Sequence, residues 1–294
     1  MSEQTAALPK PPSLALRMLR AIALLRESPV GLIGAAIIAF WTIVALFAPL
    51  LAPYDPNATI SPMLYPGQTD GQGNTFLLGT DHLGRDILSR IIYGSQRVLM
   101  LAPLATFCAY IVGIPMGLAA GYLRGKWDTV LSFVTNVILS FPVLVLYVII
   151  IATVGASAAN ILVAITFASA PGIMRIVRGL VLDLRNREYV AAAQTRGESS
   201  LFIMFVEILP NARGPIIVDA CLRLGYVIIT IGVLGFLGLG LPPPDPDWGG
   251  MINETRQLAM TFPHMAVYPC IAISSLVLGF NLLADGLREI SLRD

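Results

Sequence analysis

Residues 129–174 read TVLSFVTNVILSFPVLVLYVIIIATVGASAANILVAITFASAPGIM, 46 positions without one Asp, Glu, Lys or Arg. A helix needs about 20 mostly apolar residues to cross a ~30 Å hydrocarbon core at 1.5 Å per residue. This stretch is too long for one crossing. It also carries a break at Gly155-Ala-Ser-Ala-Ala-Asn160, where small, turn-prone residues interrupt the branched run. It therefore reads as two helices, 129–153 and 160–179, joined by a short loop. Four further charge-free intervals run from Ser28 to Tyr54, Val98 to Leu123, Leu224 to Pro244 and Gln257 to Ala284. They place helices at 30–51, 98–122, 216–240 and 265–285. The expected fold is an all-α integral membrane protein with six transmembrane helices, an N-terminal segment 1–29 and a C-terminal segment 286–294.

Composition agrees with that reading. The 294 residues are 56% hydrophobic and 13% charged, against roughly 25% charged in a soluble domain. A net charge of +1 gives no reason to expect a nucleic-acid partner. Cys108, Cys221 and Cys270 are scattered through apolar stretches, which argues against a disulfide framework and against a metal site. His82 and His264 show no ligand spacing with a cysteine or carboxylate. The only lysines, Lys10 and Lys126, stand outside any G-x-x-x-x-G-K-[ST] context. No nucleophile–base constellation is visible. The expectation is a protein that is not an enzyme and carries no cofactor.

Lysine and arginine placement orients the chain. With the N-terminus inside, fourteen of these residues fall in inner segments and four (Arg85, Arg90, Arg97 and Arg256) in outer ones. Both termini are expected in the cytoplasm. The first apolar segment exceeds the 7–15 residues of a secretory h-region and reads as a retained helix. Before it, Leu14 to Leu25 with Arg17 and Arg20 reads as an amphipathic stretch suited to an anionic lipid interface.

Three segments are more than lipid filler. The outer loop 52–97 ends in LGTDHLGRDILSRIIYG, residues 78–94. Thr80 or Asp81 is placed to cap a helix there, and Ile87, Leu88, Ile91 and Ile92 share one face. That reads as an interfacial helix leading into the second crossing, either a lipid-facing connector or a partner contact. The inner segment 185–213 carries EYVAAAQTRG at 188–197 and ILPN at 208–211. It reads as two short helices hinged at Gly197, the second stopped by Pro210. The outer segment 241–264 opens with Pro242, Pro243, Pro244 and Pro246 and then Trp248. The prolines stiffen the backbone and the indole suits a membrane–water interface. It reads as a cap over the helix end or as a gate.

These segments together resemble the dipeptide/oligopeptide/nickel permease family of ABC importers, in the subunit type carrying LGTDxLGRD. The inner segment is similar to that family's E-A-A-x3-G-x9-I-x-L-P loop. Ala191, Ala192 and Ala193 stand in its first three places, Gly197 in that of the glycine, and Leu209-Pro210 at its end. Ala191 departs from the glutamate and Glu207 from the isoleucine, while Glu188 lies one helical turn before Ala191. The run FLGLGLPPPDPDWGG is similar to the family's FLGLGxxPPxPxWG. The resemblance runs from about residue 78 to the C-terminus, with a permease domain at about 94–285.

The resemblance implies a type I importer permease in the bacterial inner membrane. Its implied partners are a second homologous permease subunit, two ABC ATPase subunits, an external substrate-binding protein and the lipid bilayer. Glu188, Ala191, Ala192, Ala193, Gly197, Leu209 and Pro210 would couple to the ATPases. Pro242, Pro243, Pro244 and Trp248 would form an outer gate or meet the binding protein. Di- or oligopeptides are the expected substrate, with nickel, oligosaccharides or opines as alternatives. The competing reading is a channel or secondary transporter, which would work without ATPases.

Packing positions complete the reading. Gly113, Gly117 and Gly121 recur every four residues, as do small residues in many close helix crossings, and Gly232, Gly235 and Gly238 suggest a second such face. Asp219 and Arg223 are spaced for an i, i+4 pair near the expected inner end of the fifth helix. Asn136, Asn160 and Asn281 are possible pore or interhelix groups.

Overall fold

The computed structural model describes residues 28–291; the expected amphipathic stretch at 14–25 lies outside them. Helix α1 (Pro29–Leu46) and the short α2 (Ala48–Leu51) precede a long irregular loop. Then come α3 (Ile87–Leu123), α4 (Gly125–Leu139), α5 (Val143–Val154), α6 (Ala158–Leu184) and α7 (Glu188–Thr195). A turn at Ser200–Phe202 and a π-helical turn at Ile203–Ile208 run without a break into α8 (Leu209–Phe236). The chain closes with α9 (Trp248–Thr255) and α10 (His264–Ser291). Five helices are long and apolar enough to cross a membrane, and α4 with α5 forms a sixth candidate bent by 85°.

That bend departs from the straight helix expected at 129–153. Pro142 is the cause. It lacks an N–H and disfavours helical backbone at the residue before it, so α4 ends at Leu139 and α5 restarts after Pro142. At the other end of α5, Gly155 takes φ +89°. The Asn160 amide there donates to the Val154 and Gly155 carbonyls at 3.0 and 2.9 Å, so this asparagine holds a corner.

The expected interfacial helix is not separate. Residues 87–123 form one helix about 55 Å long. Its N-cap is Asp86, whose carboxylate accepts the Ser89 N–H at 2.8 Å, not Thr80 or Asp81. Asp81 is engaged in the turn before it, accepting the Leu83 and Arg85 N–H groups. Ile87, Ile91 and Ile92 are buried, so the stripe faces protein.

Pro210 likewise ends nothing. It stands in the first turn of α8, where a missing N–H is tolerated. The wider π turn directly before it absorbs the unmatched carbonyls, and the Asn211 side chain donates to the Glu207 carbonyl at 2.7 Å.

Two seams of small residues hold the bundle. A Cβ on Gly113, Gly117 or Gly121 of α3 would come within 2.6–2.7 Å of Ile173, Val177 or Val181 of α6. Only glycine permits that approach. Across the bundle, Gly34 of α1 faces the α10 backbone at Gly279 and Leu283, and Gly286 meets Gly31. The Trp41 indole of α1 donates to the Ser275 hydroxyl of α10 at 3.0 Å. In α8, Gly232 meets Ile273 and Gly235 meets the backbone of α9, while Gly238 is a positive-φ turn.

Candidate coupling and translocation elements

Helix α7 packs one face inward. Val190 and Ala193 are fully buried against Ile203, Met204 and Ile208 of the π turn. Glu188, Ala191, Ala192 and Thr195 lie on the opposite face and are exposed. The triplet of alanines therefore splits: Ala193 is internal packing, and Ala191 and Ala192 form a slim outer surface. Beside that surface Leu201, Phe202, Phe205 and Val206 are exposed apolar side chains. They stand at the end of the bundle where α6 runs into α7.

Gly197 ends α7 in a left-handed conformation, φ +77°. Its N–H donates to the Gln194 carbonyl at 3.0 Å and that of Glu198 to the Ala193 carbonyl at 3.2 Å, the paired bonds of a Schellman cap. A Cβ at 197 would meet nothing within 4 Å, so backbone conformation alone requires glycine. Glu207, the departure from isoleucine, has a local partner: Arg196 donates to it at 3.1 Å. Leu209 is half-buried in the same cluster, and Pro210 is exposed. The corner is anchored by Arg185, which donates to the Gly121 and Tyr122 carbonyls, and by a two-bond Arg178–Asp128 pair at 2.6 and 2.7 Å.

At the opposite end, residues 52–86 and 237–263 form a cap. Trp248 lies at its centre with no exposed surface, which corrects the expected interfacial position. Its indole N–H donates to the Ile91 carbonyl of α3 at 3.0 Å. The ring stands edge-on to Trp41 at 5.0 Å and lies so close to Gly94 that a Cβ there would clash at 2.6 Å. With its N–H satisfied, the indole gains more from burial in protein than from an interface. Pro242, Pro243 and Pro244 remain exposed, with Arg97 pairing Asp245 beside them at 2.9 Å.

The neighbouring Asp247 caps α9, accepting the Gly249 and Gly250 N–H groups at 3.3 and 3.1 Å. Gly235 and Gly240 crowd the same carboxylate, leaving no room for a Cβ. Burial pushes its carboxyl up to about 6. Arg85 links the two halves of the cap by pairing with Asp81 at 2.6 Å and with Glu254. Asp81, His82 and Glu254 thus come together as potential cation ligands, a proximity that sequence spacing does not reveal, but the Arg85 guanidinium already bridges both carboxylates. Arg90 is also buried, donating to the Pro56 carbonyl at 3.1 Å.

Asp247 makes the cap pH-sensitive. Its folded-state value of about 6 exceeds the ordinary 3.8, so between those values the folded state binds more protons than the unfolded one. Stability is then greatest below about pH 4 and falls as pH rises through 6, by about 3 kcal/mol for the difference. Unfolding temperature in detergent is expected to drop between about pH 4 and 6 through this group. Asp247→Asn is expected to flatten that part of the profile.

Within the bundle, Arg223 of α8 pairs with Asp219 at 2.7 Å, and the Tyr110 hydroxyl of α3 donates to the same carboxylate. Asn136 accepts from Arg175 at 3.0 Å, and Asn281 lies against Gly225.

Residues 113–294 match the family described as binding-protein-dependent transport system inner membrane component. The chain belongs to that family. Residues 18–72 also match the N-terminal TM domain of oligopeptide transport permease C. The permease is 38% identical over 266 residues to the dipeptide transport system permease protein DppC of Alkalihalophilus pseudofirmus, covering 90% of this chain and 86% of that one. It is 38% identical over 246 residues to the glutathione transport system permease protein GsiD of Pectobacterium atrosepticum, covering 84% and 81%. Against DppC of Haemophilus influenzae the identity is 36%, covering 88% of both. The inward-facing methionine ABC transporter MetNI shares the fold at TM-score 0.58 and 18% identity, over 69% of this chain and 97% of that one. The permease is a multi-pass inner-membrane subunit of a binding-protein-dependent ABC importer, a transport component whose family works with ATPase and substrate-binding partners.

Proposed function

We propose that this permease pairs with a second, homologous permease subunit and two separate ABC ATPases to import di- or oligopeptides. The observation that carries the coupling role is the surface at one end of the bundle. Ala191 and Ala192 offer a slim helix face beside exposed Leu201, Phe202, Phe205 and Val206, and the Gly197 cap sets its angle. A surface of this kind on a polar end of a membrane protein fits a protein partner, and the ATPase is the partner that must transmit force there. With the ATPases in the cytoplasm, the cap lies outside, facing the binding protein, and both termini lie inside. The peptide assignment follows the relatives named for dipeptides and glutathione.

Two measurements test this reading. The reconstituted four-subunit complex is expected to hydrolyse ATP faster when its binding protein carries a dipeptide. Single cysteines in a cysteine-free background are expected to react with an impermeant reagent on intact cells at Thr69 of the cap but not at Ser200. Labelling at Ser200 alone would reverse the orientation.

A further inference from the structure

Arg223 and its partner Asp219 lie within a membrane-spanning helix. Helix α8 has 28 residues, Leu209–Phe236, and so is about 42 Å long, more than the ~30 Å hydrocarbon core. Arg223 stands about 20 Å from its Phe236 end, while at the other end the helix continues through the π turn to Ser200. A ~30 Å core counted inward from Phe236 still contains Arg223, toward its inner edge, and ionisable groups within a span are retained for function.

The pair is also aimed. Tyr110 and the Arg223 Nε both donate to Asp219 Oδ2, which fixes the guanidinium plane. Nη1 and Nη2 lie over Gly172 of α6, where a Cβ would stand 3.2–3.3 Å from them. Asp219 is the only carboxylate paired with Arg223 among the described residues. The Nη edge of the fork therefore has no anion. Asp219, Arg223, Tyr226 and Thr230 fall on one face of α8 at steps of four, three and four. Tyr226 on that stripe is 68% exposed, while Asp219, Arg223 and Thr230 are part-buried, so the single chain leaves this polar line only partly covered.

We propose that Arg223 is an intramembrane station on the translocation path that receives the α-carboxylate of the passing peptide on its Nη edge, with Asp219 and Tyr110 as positioning residues. The inference rests on the peptide-import reading. A planar fork with one edge free takes a carboxylate through two parallel hydrogen bonds. The Asp219 charge weakens the hold, as a conducting site requires, since a substrate must leave as well as enter. A purely structural pair has no need of a guanidinium with an edge lacking an anion, and an apolar pair of similar size would hold the helices as well.

The test uses the complete complex in proteoliposomes with dialanine and its C-terminal amide. The uptake ratio of acid to amide is corrected for the binding protein's own affinities, measured separately. Arg223→Gln is expected to lower that ratio about ten-fold, with assembly and binding-protein-stimulated ATP hydrolysis kept; Arg223→Lys is expected to fall between. The charge-swapped pair Asp219→Arg with Arg223→Asp is expected to assemble without regaining the ratio. An unchanged ratio in Arg223→Gln, or its full recovery in the swapped pair, makes the pair structural and overturns the proposal. Should Arg223→Gln not assemble, Gly172→Ala, which crowds the fork and keeps its charge, is expected to lower the ratio, and no change there is equally fatal. Failure of the wild-type complex to respond to dipeptide at all would sink the peptide reading itself, a different result from an unchanged ratio.

Discussion

Trp248→Ala is expected to destabilise the permease by about 3–5 kcal/mol, the range for deleting a large buried aromatic. The side chain is fully enclosed and touches α1 through Trp41 and α3 through Ile91 and Gly94. Its loss leaves a cavity at the point where the cap meets two membrane helices. The Ile91 carbonyl also loses a donor. Trp248→Phe separates these effects, because it keeps most of the ring and removes only the N–H bond, a loss of about 1 kcal/mol. Thermal unfolding in detergent should rank wild type, Phe and Ala in that order. Equal unfolding temperatures for wild type and Ala would mean that the indole serves the outer surface after all.

That buried tryptophan shows where sequence reading reaches its limit. An indole beside a Pro-rich loop is equally suited to a membrane interface and to a protein interior that accepts its N–H, and only tertiary contact decides. The crossings were legible because lipid demands long charge-free runs, a one-dimensional constraint. The glycine ladder at 113, 117 and 121 was legible for a similar reason, since its period is helical. The bend at Pro142 was present in the sequence but hidden by hydropathy, which stays high through Phe141 and Val143 and does not register a lost N–H. The inner end of α8 was less legible: the expected start at 216 follows the charge-free interval, whereas the helix is continuous from Ser200. A helix does not end where the lipid does, and this one runs on into the aqueous end. Within the alanine triplet, composition is uniform, so the split between buried Ala193 and exposed Ala192 needed the rotation of α7 about its axis. The Arg85–Glu254 pair that completes the bridge to Asp81 joins residues 169 positions apart, beyond any spacing rule.

The alanine split makes the coupling surface separable from the fold. Ala192→Glu is expected to leave the stability within about 0.5 kcal/mol of wild type, as an exposed helix substitution does. It is expected to weaken ATPase association about 100-fold, equivalent to about 2.7 kcal/mol, because docking would bury a carboxylate that has no partner. Ala193→Glu places the same group in the cluster with Ile203, Met204 and Ile208 and is expected to lower the unfolding temperature instead. Gly197→Val acts by a third route. It forces a β-branched residue to φ near +77°, a strain of about 1–3 kcal/mol that is relieved if the Schellman cap opens and the α7 face tilts away. Membrane abundance should then stay near wild type, since residue 197 is exposed and makes no side-chain contact, while peptide uptake falls. Membrane abundance, copurified ATPase and uptake on the same preparations distinguish the three. Full ATPase binding and wild-type uptake in both Ala192→Glu and Gly197→Val would remove this surface from the coupling path and leave the force to enter the bundle elsewhere.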